Sequence, residues 1–305
     1  MKIIKPNALS LISCSVSESD SVDGPVWSNT TTYAENQIVR YNHVTYKSLI
    51  SNNVGHNPST SYSGENAFWQ KVIATMPYRM IDDYVETTTQ APAGQSLTFK
   101  VPFIRADSFA LLNMHGSTCH IVVTDDDGTV TYDSEYSLQD DISSLSLYAY
   151  YFELITPVSA SVNTQIPMTF LGNMQVTITP SSSADIVYVG HVIVGRNQYI
   201  GETKYGAELG LTDYSKKIQD DFGYTTFVKR SYSKNANLNL YIPPERATTV
   251  TELLSSLRAT PILIEGGNTD AGYEALVIYG WLEDWRTVYT GPNENELQIE
   301  IQGLI

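Results

Sequence analysis

The sequence has few charged residues and is especially short of basic ones. Charged residues make up 17% of the 305 residues, and 18 lysines and arginines stand against 33 aspartates and glutamates, so the formal net charge is −15. Residues 79–200 carry a net charge of −9 and residues 201–305 a net charge of −6. Proteins bind nucleic acid by neutralising phosphates with basic side chains, and no basic stripe is present. We therefore exclude nucleic acid as a partner.

Cysteines and long hydrophobic runs are scarce as well. Cys14 and Cys119 are the only cysteines. They could form one disulfide bond, but we expect free buried thiols and assembly in a reducing cytoplasm. The N-terminal stretch MKIIKPNALSLISC contains two lysines and no sustained apolar run. We predict neither a signal peptide nor a membrane span.

Catalytic motifs are missing from the sequence. It contains no nucleophile elbow, no H-E-x-x-H zinc motif, no phosphate-cradling glycine loop and no internal repeat. The glycines of residues 201–210 have no strand-to-helix context and indicate a turn-rich connector. The adjacent acids Asp220-Asp221 cannot face each other across a glycosidic bond, and with Lys216-Lys217 they favour a solvated helical turn. We predict that the protein is not an enzyme and has no cofactor.

Two clusters of potential metal ligands occur, and neither predicts a metal site. Residues 125–128 (Asp-Asp-Asp-Gly) match the start of a calcium loop, but the closing bidentate glutamate is absent, which favours a hairpin tip of solvated aspartates. His115, Cys119 and His120 supply nitrogen and sulfur. Cys119 and His120 are neighbours in a predicted strand and point to opposite faces, so we interpret the grouping as coincidence.

Aromatic and apolar residues are plentiful. Hydrophobic residues make up 42% of the chain, enough for a packed core, and 21 tyrosines far outnumber eight phenylalanines. A tyrosine-rich, charge-poor composition is typical of β-sheets with one wet face or of large protein–protein contact surfaces. The length allows two or three domains.

The pattern predicts a mainly β protein with a small α+β C-terminal domain, in four segments. Residues 1–24 are an extended N-terminal arm, which is either a floppy tail or, as we favour, an arm that orders against a neighbouring subunit. Residues 25–76 form a small carbohydrate-binding-like β-module. Residues 80–200 form a jelly-roll-like β-sandwich, and residues 201–305 form an antiparallel sheet with one packed helix.

Short β-branched runs separated by turn residues carry the sandwich prediction. The Asp127-Gly128 pair between two alternating runs indicates a hairpin. The predicted sandwich strands are Ser96–Val101, Phe109–Met114, His120–Thr124, Thr129–Asp133, Leu145–Ile155, Met174–Thr179 and Ile186–Val194.

The C-terminal segment contains the clearest helix signal. Residues 249–252 (Thr-Val-Thr-Glu) form a capping box, in which the threonine hydroxyl and the glutamate satisfy backbone N–H groups at the helix start. Apolar residues follow at helical spacing, and Pro261 blocks continuation. They are Val250, Leu253, Leu254 and Leu257. The predicted strands around this helix are Thr225–Arg230, Leu238–Ile242, Ile262–Glu265, Ala275–Trp281 and Leu297–Ile301.

The module is the candidate ligand-binding site, because sugar rings stack on aromatic planes. A binding platform needs two or more planes in a row, whereas the same residues could simply form the core of the module. We favour the core interpretation for at least half of the set. The candidate residues, for glycan or protein docking, are Trp27, Tyr33, Tyr41, Tyr46, His56, Tyr62 and Trp69.

Several distinctive segments occur in order along the chain. They are the Trp27–Trp69 module, PYRMIDDYVETTT (77–89), FALLNM (109–114), VTYDSEYS (130–137), LYAYYFELI (147–155), VIVGRNQYIGETKYGAELGLTDYSKKIQDDFG (192–223), LRATPILI (257–264), LVIYGWLEDW (276–285) and IEIQGLI (299–305). Together they resemble a family of tailed-bacteriophage virion proteins of about this size, which carry a small module like the chitin-binding-type carbohydrate-binding modules. The resemblance covers nearly the whole chain.

The resemblance implies a virion structural or adaptor protein of the tail tip, baseplate or neck, assembled in the host cytoplasm and docking other virion proteins as a homo-oligomer. One alternative is recognition of host-surface polysaccharide through the module, and a third hypothesis is a polysaccharide depolymerase. Buried tyrosine and tryptophan anchors would supply the contacts. The candidate interface residues are Tyr148, Tyr150, Trp281, Trp285, Leu304 and Ile305.

Overall fold

A computed structural model describes residues 1–64, 67–138, 160–219, 222–267, 276–289, 291 and 294–304. Its elements are almost all antiparallel strands, which confirms the predicted mainly β class. The strands, in chain order, are β1 Lys2–Pro6, β2 Ser13–Cys14, β3 Ile38–Tyr41, β4 Val44–Ser48, β5 Trp69–Ala74, β6 Thr89–Gln90, β7 Leu97–Pro102, β8 Ser108–His115, β9 Thr118–Asp125, β10 Val130–Ser137, β11 Ala160–Asn163, β12 Gly172–Thr179, β13 Tyr188–Tyr199, β14 Glu202–Thr203, β15 Glu208–Asp213, β16 Lys216–Gln219, β17 Thr225–Val228, β18 Tyr232–Ile242, β19 Ile262–Glu265, β20 Val277–Val288 and β21 Asn295–Gly303.

Within the described residues, three helices accompany the strands. The α-helices are α1 Asp20–Asp23 and α2 Pro244–Ser256, and a 3-10 helix spans Met76–Ile81. The predicted strand Leu145–Ile155 lies outside the described residues.

The largest sheet of the described residues has eleven antiparallel strands. Its order is β11-β8-β13-β1-β19-β20-β21-β18-β14, with β6 also paired to β13 and β15 to β18. This sheet crosses residue 200, where the sequence analysis separates a sandwich from a C-terminal domain. The predicted boundary between residues 200 and 201 therefore stays a prediction. Strands before and after it belong to one hydrogen-bonded sheet.

A second sheet, β10-β9-β12-β7-β2, packs against the β8–β13 part of the large sheet. The inward positions alternate along each strand, as Leu97, Phe99 and Val101 show in β7. These side chains share one buried cluster with Phe109 of β8 and Val194 of β13. The two layers form the predicted sandwich, because period-two alternation places every second side chain of each strand between the sheets.

The hairpin predicted at Asp127-Gly128 is present and joins β9 to β10. Gly128 has φ +86°, a left-handed conformation that glycine adopts without steric penalty. The Gly128 N–H donates to the Asp125 carbonyl over 3.0 Å and closes the turn.

Helix α2 covers the β18–β21 part of the large sheet, but the predicted capping box does not start it. The helix begins at Pro244, five residues before Thr249, and its N-cap residue Pro243 makes no side-chain cap bond. Proline is favoured in the first helical turn because its missing N–H is unpaired there in any case. Val250 and Leu254 are buried against the sheet as predicted.

The N-terminal segment docks on its own chain, not on a neighbouring one. Strand β1 lies inside the large sheet, where Lys2–Pro6 pairs with β13 and Lys2–Ile4 pairs with β19. Ile3 and Ile4 are buried on opposite faces of the sheet. An arm ordered against another subunit is therefore wrong for these residues, since their hydrogen-bonding partners are internal.

The described part of the chain between β13 and β18 is largely extended rather than a helical turn and a loose connector, and Asp220-Asp221 lie outside it. Residues 208–213 pair with β18 as strand β15, and residues 216–219 pair with β17 as strand β16. Two lysines in sequence are compatible with an exposed strand as well as with a helix, so pairing with β17 decides the conformation.

Candidate functional site

The aromatic module, a three-stranded sheet of β3, β4 and β5, uses most of its rings internally. Tyr33, Tyr46 and Trp69 are buried, and Trp27 and Tyr41 pack beside them. Tyr33 and Trp69 meet edge to face with ring centroids 5.4 Å apart, and so do Trp27 and Tyr41. These contacts form the interior that a module of this size needs.

The loop between β4 and β5 adds the remaining module residues. The His56 ring stacks on Phe68 with centroids 3.6 Å apart, and its carbonyl accepts the Trp69 indole N–H at 2.8 Å. Tyr62 is the candidate with a largely exposed side chain, and its ring lies 6.1 Å from that of Tyr46. Among the candidate residues, therefore, the module presents one open aromatic plane and not a row of planes.

The candidate interface residues divide into exposed, packed and undescribed ones. Trp281 on β20 is 40% exposed, and its indole N–H donates to the Gln302 side chain at 3.1 Å. Trp285 and Leu304 instead pack against buried clusters of the large sheet. Tyr148, Tyr150 and Ile305 lie outside the described residues.

The potential metal ligands do not converge. Cys119 points into the sandwich, where burial raises the pKa of its thiol to about 12, so it stays protonated at neutral pH. The neighbouring His120 faces outward and contacts Asp133 at 2.7 Å, and His115 contacts Asp185 at 2.9 Å. No group of three or more His, Cys, Asp or Glu side chains in the described ranges could hold a metal ion.

The aspartate hairpin tip is held by its own backbone. The Thr129 N–H donates to Asp127 Oδ1 at 2.8 Å and lowers the pKa of that carboxyl group. The Asp126 N–H donates to Asp125 Oδ1 at 2.9 Å. These bonds occupy carboxylate oxygens within the turn itself.

Besides Cys119, three titratable groups with strongly shifted pKa values, His191, Tyr279 and Asp82, lie on or near the far face of the large sheet. Burial lowers the pKa of His191 to about 4, and its Nδ1 is buried without a hydrogen-bond partner. Its ring lies 4.6 Å from Tyr279, whose pKa burial raises to about 12. Burial also raises the pKa of Asp82 to about 6, although the Tyr84 N–H and the Thr87 hydroxyl donate to it.

Among the described residues, no hydrogen bond joins His191, Tyr279 and Asp82 to one another, so no two of them form an acid–base pair. The nearby pocket of about 350 Å³ has a mixed wall, lined by apolar Leu112 and Val277 and also by Glu86, Asn113 and Lys234. The neutral histidine contributes to packing, and its perturbed pKa follows from burial rather than from a charge partner.

A group of exposed apolar side chains that are close together in sequence was not among the predicted sites. It lies on the hairpin of β16 and β17 with its connections, residues 214–231, which we call the outer hairpin. Every residue of both strands is exposed. Its large exposed apolar side chains are Tyr214, Ile218, Phe222, Tyr224, Phe227 and Val228.

The outer hairpin extends a ribbon whose base is β15 paired with β18. The Tyr214 N–H donates to the Ser231 carbonyl at 3.3 Å, and the Arg230 N–H donates to the Ser215 hydroxyl at 3.0 Å. The Ser231 hydroxyl also donates to the Glu86 carboxylate. These bonds orient the hairpin relative to the large sheet.

Each face of the outer hairpin carries both a basic and an apolar side chain. Lys217 is directly opposite Phe227, and Lys216 is directly opposite Val228. Directly opposite residues of an antiparallel pair point to the same side, so each face combines a cation with an apolar group. At its base a concavity of about 360 Å³ is lined by apolar Leu211, Phe227 and Tyr232 and by charged Asp213, Lys229 and Arg230.

The sequence contained part of the signal for this surface. Thr225–Arg230 was predicted as a strand, and the structure has β17 at Thr225–Val228. Exposure could not be predicted, because alternation identifies a strand but does not show whether a second layer covers it.

Comparison with known proteins adds a distant structural likeness. No family model and no curated protein matches the chain. A solved structure described as "Tail of empty GTA particle computed with helical refinement, C6 symmetry" is similar over 36% of this chain and 84% of that chain, with 5% sequence identity and a TM-score of 0.28. Within the described residues, no helix is long and apolar enough to cross a membrane.

Proposed function

We propose that this chain is a non-enzymatic structural and adaptor protein of a tailed-bacteriophage particle, in the tail tip, baseplate or neck, which acts by docking other proteins. The observation that carries the proposal is the outer hairpin, a projecting ribbon whose apolar side chains are left in water. Contiguous exposed apolar surface rimmed by polar groups marks protein–protein contact sites. The sequence resemblance to tailed-phage virion proteins is the reason for proposing a phage particle as its location.

The chemistry of the described residues supports a binding role. Burial raises the pKa of Cys119 and partial burial raises that of Cys14, so neither is an activated nucleophile. The imidazole with the most perturbed pKa, His191, is buried against a tyrosine and has no hydrogen-bond partner at Nδ1. A general base needs a position within hydrogen-bonding reach of a substrate proton, which this burial does not offer.

Glycan recognition through the module has less support. Stacking on sugar needs adjacent open rings, and Tyr33, Tyr46 and Trp69 are committed to the module core. A glycan array probed with the purified full chain tests this alternative, and saturable binding that Tyr62→Ala abolishes would favour it. Depolymerase activity is tested by incubating the full chain with host surface polysaccharides, where release of oligosaccharides would refute the non-enzymatic role.

Location in the particle is the direct test of the proposal. Purified phage particles from the host strain should contain the chain at a fixed copy number by quantitative mass spectrometry, and immunogold label should lie at the tail or neck. A chain that occurs only in the soluble lysate, and never in particles, would overturn the proposal.

A further inference from the structure

The outer hairpin needs a covering surface that the described chain does not supply. Isolated two-stranded hairpins are marginally stable in water, and independent stability requires a third strand or a packed face. Strands β16 and β17 pair with each other, and their residues are exposed on both faces. Phe227 is 74% exposed. A partner that buries this ring would stabilise the hairpin by removing apolar area from water.

The charge of the hairpin identifies the kind of surface that covers it. Residues 214–231 contain four basic and two acidic side chains, a net charge of +2, in a chain whose total is −15. Lys216, Lys217, Lys229 and Arg230 are all exposed. Complementary potentials steer association, so an acidic surface is the preferred partner. The rest of this chain carries a net charge of −17, so a second copy supplies the complementary charge.

We infer that the outer hairpin docks on the acidic body of a second copy of this chain, a contact that rests on the proposed docking role and names its partner. Hairpin-to-hairpin pairing would place two positively charged ribbons together, which electrostatics disfavours. The contact is therefore heterologous, with the hairpin of one copy on a different surface of the next. Heterologous contacts repeat from copy to copy and produce rings or open filaments.

Strand pairing adds a second attraction. Within the described residues, β16 and β17 each leave one edge without a backbone partner. Open strand edges pair readily with another chain, and the main-chain hydrogen bonds are independent of sequence. Phe227, in the concavity with Leu211 and Tyr232, then serves as the apolar anchor, and Lys217 beside it pairs with the acidic partner.

Sedimentation velocity of the purified full chain over a concentration series tests the inference. Wild type should form assemblies larger than a monomer, and raising the salt concentration should weaken them because surface charge pairs are screened. Phe227→Ser and Lys217→Glu should each weaken self-association at least about tenfold, as expected for an aromatic anchor and a complementary charge.

Matched controls separate this surface from general changes in solubility. Phe170→Ser removes a ring that is 68% exposed outside the hairpin, and Lys71→Glu reverses an exposed charge in the module. Both should associate like wild type. Far-UV circular dichroism should show that all four variants fold, because none of the substituted side chains is buried.

A mixing experiment tests the heterologous geometry. Lys217→Glu loses the donor hairpin but keeps the acceptor surface, so an excess of this variant should cap wild-type chains and shorten their assemblies. No effect on wild type would contradict head-to-tail contact.

A wild type that stays monomeric at all concentrations, or control variants that dissociate as much as the hairpin variants, would overturn the inference. Detection of a monomeric chain in phage particles would leave the proposed function standing and make a different virion protein the occupant. If the chain self-associates through the hairpin but is absent from particles, the contact between copies would stand and the proposed function would be overturned.

Discussion

Replacing Ile4 with alanine should destabilise the whole protein, because β1 lies between the two halves of the large sheet. Ile4 is 1% exposed and packs in a buried cluster with Ala110, Ile193, Leu263 and Tyr279. Those neighbours come from β8 and β13 on one side and from β19 and β20 on the other. The Ile4 side chain therefore packs against strands that are distant in sequence.

The magnitude follows from the cavity that the substitution would create. Removing buried methyl and methylene groups from isoleucine costs about 2–5 kcal/mol, with the larger values where the surroundings cannot collapse. The strands on both sides of β1 are held by backbone pairing, as in Ile4 with Asn197 and Leu263, so the cavity stays open. We expect a loss of about 3–5 kcal/mol in the free energy of unfolding.

Ile12→Ala in the same N-terminal segment is the matched control. Ile12 is 51% exposed, so the same substitution should change the free energy of unfolding by no more than about 0.5 kcal/mol. Chemical denaturation followed by circular dichroism measures both variants, and an unchanged slope with denaturant shows that the change is in stability. Hydrogen exchange should show faster opening of β1, β13 and β19 in Ile4→Ala only.

The result that would refute this reasoning is an equal effect of the two substitutions. If Ile4→Ala were as mild as Ile12→Ala, β1 would not be a strand of the sheet in solution. The N-terminal segment would then be an extended arm outside the sheet, either a floppy tail or an arm that orders against a neighbouring subunit.

Three further predictions concern single positions. Because burial lowers the pKa of His191 from 6.5 to about 4, the unfolded chain binds more protons between these pH values, so wild-type stability should fall by up to about 3 kcal/mol as the pH drops from 6.5 to 4. His191→Phe should remove this loss in pH-dependent thermal melts, and an unchanged profile would contradict it. Trp69→Ala should unfold the module at a cost of about 3–5 kcal/mol, whereas Tyr62→Ala should be nearly neutral by hydrogen exchange. Gly280→Ala should cost about 1–3 kcal/mol in urea unfolding, because a Cβ there would lie 2.2 Å from the Gln302 carbonyl oxygen, and a neutral result would show that β20 and β21 can separate.

Local patterns in the sequence predicted several elements well. The Asp127-Gly128 turn, the alternation in β7 and the apolar face of α2 depend on neighbouring residues, and they appear in the structure. The start of α2 was wrong because proline in the first turn and packing on the sheet extend the helix beyond the capping box. The role of the module aromatics as core or platform stayed open until their contacts were known.

The amino-acid sequence by itself determined that the chain folds mainly into strands, where many of the turns lie, and that its net charge is strongly negative. These properties follow from composition and from correlations over a few residues. Only the tertiary structure decided that β1 joins the two halves of one sheet, that Trp69 is buried, and that Phe227 stands in water. Strand partners and the layers above them come from residues far apart along the chain, so each side chain acquires its exposure only when those distant segments meet.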